Sequence, residues 1–471
     1  MRSVQKIYVP LIALIAIMAC LPRYALADEN SPPRPTGEVQ SFQLDNGMKV
    51  LVLENHRAPV VVSQVWYKVG GSYEHDGITG ISHVIEHMMF KGTPKYPAGK
   101  FSEIIAANGG SENAFTSMDY TAFFQRIASD RLELCLELES DRMRNLLLSE
   151  DEYKKEIEVI KEERRMRTDD SPTALTYERF NAIAYNNSPY QHPIIGWMAD
   201  LDTMTVDDVR DWYRTWYAPN NATLVVVGDV SADDVLKLAT TYFGPLKPSV
   251  IPKLKPRREI EQYGVQRVQV RVPAKVPYLI MGYKAPVALT AEQDWEPYAL
   301  EVLASILDGG DSARLASQVV RGSQVAASAS ASYDAFDRLE TLFLFSGTPA
   351  NGHSVADLQK ALLAQIKQLQ DKPVSAEELE RVKAQIRADK VFERDSIFYQ
   401  AMQIGMLETV GLSWKDADQY LPRIEAVTAE QVQAVARKYL VEDQLTVATL
   451  SPQPIDPKHP PRAGGISSHV R

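Results

Sequence analysis

Cysteine is nearly absent. Two occur in 471 residues, Cys20 and Cys135. Histidine is also scarce, with eight in the whole chain. Positive charge is in deficit: the formal net charge is -10, which argues against a nucleic-acid partner. No apolar run is long enough for a membrane helix, which needs about 20 residues. The nearest is Ile7–Leu21. It follows Arg2 and Lys6 and precedes Ala25-Leu26-Ala27, a small-x-small cleavage site. Residues 1–27 therefore read as a secretory signal peptide. The expectation is a soluble protein in an extracytoplasmic compartment, most simply a bacterial periplasm, beginning at Asp28. A lipid anchor at Cys20 is the minor alternative, because Ile17-Met-Ala-Cys20 only loosely fits a lipoprotein box and Met18 fits it poorly. Cleavage after Ala27 leaves Cys135 alone, so no internal disulfide is possible and the fold must rest on its core. Cys135 lies in Leu132-Glu-Leu-Cys-Leu-Glu-Leu138, the setting of a buried structural thiol.

What is present is ordinary globular composition, 45% hydrophobic and 24% charged. The length suggests about two to four domains. Residues 28–37 are a proline-rich lead-in. Asp45-Asn46-Gly47 between two apolar segments predicts a hairpin of Gln40–Leu44 and Lys49–Leu53. Val60–Val69 reads as a buried strand. Phe101–Ala107 reads as a helix stopped by Asn108-Gly109-Gly110, and Glu112–Arg126 as a strand pair. Helices are expected over Arg131–Leu148, Glu150–Arg167 and Thr205–Tyr217, and a strand over Thr223–Val227. Pro245, Pro248, Pro252 and Pro256 sit among basic residues, marking 245–258 as a semi-rigid linker.

Beyond that linker the pattern repeats. At an offset of 223 residues Thr205 matches Thr428, Val209 matches Val432, Trp216 meets Tyr439 and Thr223 matches Thr446. The expected fold class is α+β: two similar domains, 38–244 and 259–450, each an antiparallel-rich sheet packed with helices. Residues 451–471 read as a loose tail.

The chemistry concentrates in Gly80-Ile-Ser-His-Val-Ile-Glu-His-Met-Met-Phe-Lys-Gly-Thr93. On a helix, Ile81, Val84, Ile85, Met88 and Met89 share one side, and His83, Glu86 and His87 the other. Two histidines one turn apart can reach one ion, and the glutamate can touch a water on it. The order His-x-x-Glu-His is an inverted zinc-peptidase signature. A hydrolytic zinc site takes three protein ligands, so one is missing from this stretch. The acidic helix downstream offers Glu150, Glu152, Glu156, Glu158, Glu162 and Glu163. With Tyr153, Ile157 and Ile160 as its apolar stripe, Glu156 and Glu163 flank the core side and Glu162 points to solvent. The ordinary meaning of such a run is a solvated acidic face.

These residues carry a resemblance. Gly80–Thr93, Asn113-Ala-Phe-Thr116 and Glu156-Ile-Glu-Val-Ile-Lys-Glu-Glu163 resemble the pitrilysin-type peptidases, the inverted zinc peptidases that include mitochondrial processing peptidase and insulin-degrading enzyme. The length is similar to that of short bacterial members, whose two-domain halves pair with another chain into a closed chamber. The resemblance implies one Zn2+ per chain on His83, His87 and Glu163, Glu86 as the base, and Glu156 as a supporting residue. It implies that Asn113 and Ala114 pair with the backbone of a peptide or unfolded substrate by strand addition. His192 is expected to be structural. In the second domain the family places an arginine and a tyrosine that complete the site across the chamber. Arg321 matches, but Ser328 holds the tyrosine position, and Tyr333 lies beyond it. The expected partner is thus a related chain supplying an Arg/Tyr pair, with a homodimer less favoured. The rival reading is a non-hydrolytic peptide-binding or assembly subunit that keeps the fold.

Overall fold

A computed structural model describes residues 37–255 and 257–455. The expected signal peptide, most of the expected lead-in and the end of the expected tail lie outside the described residues. In the first half the elements run β1 (Gln40–Gln43), β2 (Lys49–Glu54), β3 (Val60–Tyr67), α1 (Ile81–Met88), α2 (Lys100–Ala107), β4 (Ser111–Thr116) and β5 (Thr121–Ala128). Helices α3 (Leu132–Arg144), α4 (Glu150–Arg164), α5 (Pro172–Ala184), α6 (Met198–Thr203) and α7 (Val206–Trp216) follow, then β6 (Ala222–Gly228) and α8 (Ala232–Tyr242). Among the described residues 243–265 there is no helix or strand. The second half runs β7 (Gln266–Pro273), β8 (Tyr278–Ala285), α9 (Glu296–Asp308), β9 (Ala326–Ser332) and β10 (Thr341–Pro349). It ends with α10 (Val355–Asp371), α11 (Ala376–Asp395), α12 (Ile397–Val410), α13 (Asp416–Ala426), α14 (Ala429–Tyr439) and β11 (Leu445–Gln453).

The fold is α+β, with two mixed, mostly antiparallel sheets. Their strand orders are β1-β2-β6-β3-β5-β4 and β7-β11-β8-β10-β9. They repeat one topology. Among the described residues the sole parallel pairs are β2 with β6 and β7 with β11, and the antiparallel order beyond them is the same. The repeat seen in sequence sits at the same place in both sheets. Thr205 and Thr428 each form a capping box at the start of α7 and α14, which satisfies backbone N–H groups that a helix start leaves unpaired. Helix α3 stops at Arg144, four residues before the expected Leu148, and Leu148 takes a positive φ of 42°. Helix α4 gives way to a wide π-type turn at Arg165–Asp169.

Each half covers the other's sheet. Phe180 and Ala184 of α5 pack on Ile280, Leu342 and Ala448 of the second sheet. Ala401 and Ile404 of α12 pack on Leu51, Val62, Trp66 and Val225 of the first. Glycine permits both crossings. A Cβ on Gly405 would lie 2.1 Å from Trp66 Nε1, and one on Gly282 would lie 2.6 Å from Phe180 Cζ. This exchange leaves an open cavity of about 1730 Å³, lined by residues of both halves.

Candidate metal centre

Helix α1 enters the core on its apolar face: Ile81, Val84, Ile85 and Met88 are all buried. Its start is fixed by Glu74, whose carboxylate accepts the N–H of Gly80 at 2.7 Å and of Ser82 at 2.8 Å. A negative group there satisfies the free N–H groups and suits the helix dipole. Burial pushes the Glu74 carboxyl up to about 7, against the pull of those hydrogen bonds. Gly80 has φ +88, and a Cβ on it would lie 2.6 Å from the Ile195 carbonyl oxygen. Sequence reading missed Glu74; the only trace was an acidic residue just ahead of a glycine-started helix.

Helix α4 packs against α1 and brings Glu156 and Glu163 to its histidines. The ligand atoms of His83, His87 and Glu163 lie within 4.8 Å of one another. The Glu163 carboxylate is 3.3 Å from His87 Nε2 and 3.9 Å from His83 Nε2. The two rings stand 4.7 Å apart at 72°. His87 Nδ1 meets Glu156 Oε1 at 2.8 Å. A carboxylate accepts, so Nδ1 carries a proton; Nε2, facing the Glu163 carboxylate, carries one as well until a cation displaces it. Lys91 Nζ holds the other Glu156 oxygen at 2.5 Å, and Arg167 Nη1 holds Glu163 Oε1 at 2.7 Å. Glu162 is not in the cluster. It stands at the cavity's rim, not fully out in solvent, 3.1 Å from Arg165.

The electrostatics favour the ligand forms of His83 and Glu163, whereas His87 must lose a proton before a cation binds. Burial and the neighbouring His87 push His83 down to about 3, keeping its imidazole neutral. Burial works against charge on His87 too, but its bonds to Glu156 and Glu163 raise it to about 9. Burial opposes the Glu163 charge, yet His87, His83 and Arg167 hold its carboxyl down at about 2. Two imidazole nitrogens and one carboxylate are a donor set that suits zinc once His87 Nε2 is deprotonated. Beside them Glu86 Oε2 accepts the Thr116 hydroxyl at 2.5 Å. Burial raises the Glu86 carboxyl, and that hydrogen bond limits the rise.

Thr116 closes β4, and β4 is an edge strand. Asn113 and Ala114 face the cavity, and the Ala114 N–H donates to Asn113 Oδ1 at 2.8 Å instead of to a neighbouring strand. His192 also lines the cavity but stands apart from the cluster, 3.1 Å from Asp76. Arg321 is not brought to the cluster: it lies exposed in the turn Leu315–Gly322, with its guanidinium on the Asp311 carbonyl. Ser328 is on β9 opposite Thr348. Tyr333 is not among the residues that line the cavity. It stacks on Phe343, and its hydroxyl donates to the Pro286 carbonyl inside the second half.

The fold and the site define a class: a duplicated α+β chain whose first half carries a His-x-x-Glu-His helix faced by a carboxylate-bearing helix. The chain belongs to peptidase family M16. Residues 49–197 match the family described as Insulinase (Peptidase family M16), and residues 203–386 match the Peptidase M16 inactive domain. Zinc protease PqqE of Helicobacter pylori is 35% identical over 364 residues, covering 76% of this chain and 80% of that protein. Zinc protease YmxG of Bacillus subtilis is 26% identical over 417 residues, covering 88% of this chain and 98% of that one. The crystal structure of a protease from Helicobacter pylori matches with a TM-score of 0.83 at 30% identity, over 88% of this chain and all (100%) of that one. The fold is also shared with the protease PqqL of Escherichia coli, TM-score 0.74, where this chain spans 50% of the longer molecule.

One consequence of the geometry is measurable. Glu156→Gln leaves the three donors in place but weakens the hold on His87 Nδ1. Zinc affinity is expected to fall about 10–100-fold, as it does when such outer partners are lost. A chelator-competition titration reads it. Unchanged affinity would show that Glu156 does not orient His87.

Proposed function

We propose that the chain is an exported zinc metallopeptidase that hydrolyses peptides or unfolded segments and works with a related partner chain. The observation that carries this reading is the convergence of His83, His87 and Glu163 with Glu86 beside them at the wall of a cavity. Zinc bound to those three donors would acidify a water and polarise a carbonyl. Glu86 accepts the proton of the attacking water and returns it to the leaving amine. Thr116 occupies Glu86 Oε2, so Oε1 is the oxygen left to receive that proton. The free edge of β4 supports the placing of substrate: an extended peptide adds there as a further strand, with Asn113 and Ala114 beside it. Recognition is then mainly of backbone.

The mature chain is expected to begin at Asp28, to carry about one zinc, and to cleave unstructured peptides. Chelation should abolish cleavage and added zinc restore it. N-terminal sequencing and metal analysis of protein taken from an extracytoplasmic fraction check both parts. A lipid-modified Cys20 at the terminus would overturn soluble export. Full cleavage by metal-free protein would overturn the metallopeptidase reading.

A further inference from the structure

The linker between the two halves carries charge that the rest of the chain does not answer. Residues 245–258 hold Lys247, Lys253, Lys255, Arg257 and Arg258 and no acidic residue, in a chain of formal net charge -10. All of these cations are exposed. Among the described residues none of them pairs with a carboxylate. Where the linker enters β7, Arg267 and Arg271 are exposed as well. They rest on the side-chain amides of Gln359 and Gln269, at 3.5 Å and 2.8 Å. The one exposed acid between 245 and 275 is Glu261, and it already accepts the Tyr263 hydroxyl at 2.7 Å.

The linker is pinned, so these charges stay on display. The Ser249 N–H donates to Asn220 Oδ1 at 2.9 Å, and Asn220 Nδ2 donates to the Ser249 carbonyl oxygen at 2.8 Å. The Glu259 carboxylate accepts the N–H of Asn186 at 3.0 Å, the N–H of Ser188 at 2.9 Å and the Lys284 ammonium at 3.1 Å. Gln262 Nε2 donates to the Leu445 carbonyl oxygen at 2.9 Å. Beside these pins apolar side chains stand in solvent: Val250 is 93% exposed, Tyr263 84%, Ile260 55% and Leu254 40%. A single exposed apolar residue is ordinary. Here they are interleaved with Lys253, Lys255, Arg257 and Arg258. That is the composition of a surface that meets a lipid interface, where cations reach the headgroups and apolar side chains enter the acyl boundary. A protein partner fits it less well, because lysine is depleted at the centre of protein interfaces. A long polyanion would meet the field of the acidic body as well as the linker, whereas a bilayer touches one face.

We infer that the linker, from Lys247 to Tyr263, is a docking surface for an anionic lipid bilayer. The inference goes beyond the peptidase reading and stands without it, since it needs neither zinc nor cleavage. Two components act together. The cations supply long-range attraction to the headgroups, which salt screens. Ile260 and Tyr263 supply shallow insertion, which salt does not screen. Attachment of this kind is peripheral and reversible, and it turns one face of the molecule, the junction of its two halves, toward the membrane.

Co-sedimentation of the mature chain with vesicles tests this. One set contains phosphatidylglycerol and phosphatidylcholine, the other phosphatidylcholine alone. Wild-type protein should bind the anionic vesicles about 10²–10³-fold more tightly than the neutral ones, the worth of about four basic residues at a charged surface. Raising the salt should release it. A variant combining Lys253→Glu, Lys255→Glu, Arg257→Glu and Arg258→Glu should lose the preference for anionic vesicles. Ile260→Ser with Tyr263→Ser should bind them about 10-fold more weakly and keep the salt dependence. Thermal unfolding and zinc content should match wild type in both variants, because every substituted side chain is exposed. Equal binding to neutral and anionic vesicles, or anionic binding that survives the charge reversal, overturns the inference. Capture by soluble heparin without binding to either kind of vesicle overturns it too, and makes the linker a polyanion site instead.

Discussion

Glu86→Gln should keep its zinc and lose about 10²–10⁴ in peptide cleavage, the usual contribution of a general base. The amide matches the carboxylate in shape and its oxygen can still accept the Thr116 hydroxyl, which now sits 2.5 Å from Glu86 Oε2. It cannot take a proton from water at neutral pH. The metal should stay because Glu86 is outside the group of three converging donors. Glu163→Gln is the contrast. It removes the one anionic donor, and the neutral amide no longer answers His87 Nε2 at 3.3 Å, so zinc should be lost with the activity. Glu162→Gln should change neither, since its carboxylate lies against Arg165 at the rim. Metal analysis and a peptide assay on the three variants separate the roles. Zinc lost from Glu86→Gln, or kept by Glu163→Gln and lost from Glu162→Gln, would overturn the assignment and move the α4 ligand by one position.

The motif helix was legible in sequence because both signals sit on one element. The apolar face of Ile81, Val84, Ile85 and Met88 faces the core, and the ionisable face follows from the period. The repeat was legible for a similar reason: Thr205 and Thr428 announce two helix starts through local capping chemistry. The choice between Glu156 and Glu163 was not settled by the helix period, because both lie on one flank of α4. The structure places them in different relations to His87, with Glu156 on Nδ1 and Glu163 on Nε2, a distinction made by the angle between two helices. The exchange of α5 and α12 was not legible either. An apolar stripe reports that a face is covered and says nothing of what covers it. Only the tight approaches of Gly405 to Trp66 and Gly282 to Phe180 record that exchange, and a lone glycine in a helix or strand has many other readings.

Adding a related partner chain should raise turnover of this chain by about 10²–10³, the usual worth of one hydrogen-bond donor to a developing oxyanion. The reasoning starts from what each half of the chain holds. The first half brings three metal-type donors and a base to one wall. The second half has Arg321 exposed outside the cavity and a serine, Ser328, on an edge strand. A serine hydroxyl falls well short of where a tyrosine hydroxyl would reach. Tyr333 is committed to Pro286 and Phe343 within its own core, so no small shift frees it. A second copy of this chain would bring the same serine, whereas a related chain with arginine and tyrosine at those positions would supply the donor. The measurement is turnover of an unstructured peptide by the isolated chain, then with the related chain titrated in. Zinc content should be the same in both cases, and Tyr333→Phe should leave the rise intact. Full turnover by the isolated chain, indifferent to any partner and lost in Tyr333→Phe, would place the missing donor within this chain and remove the need for a second one.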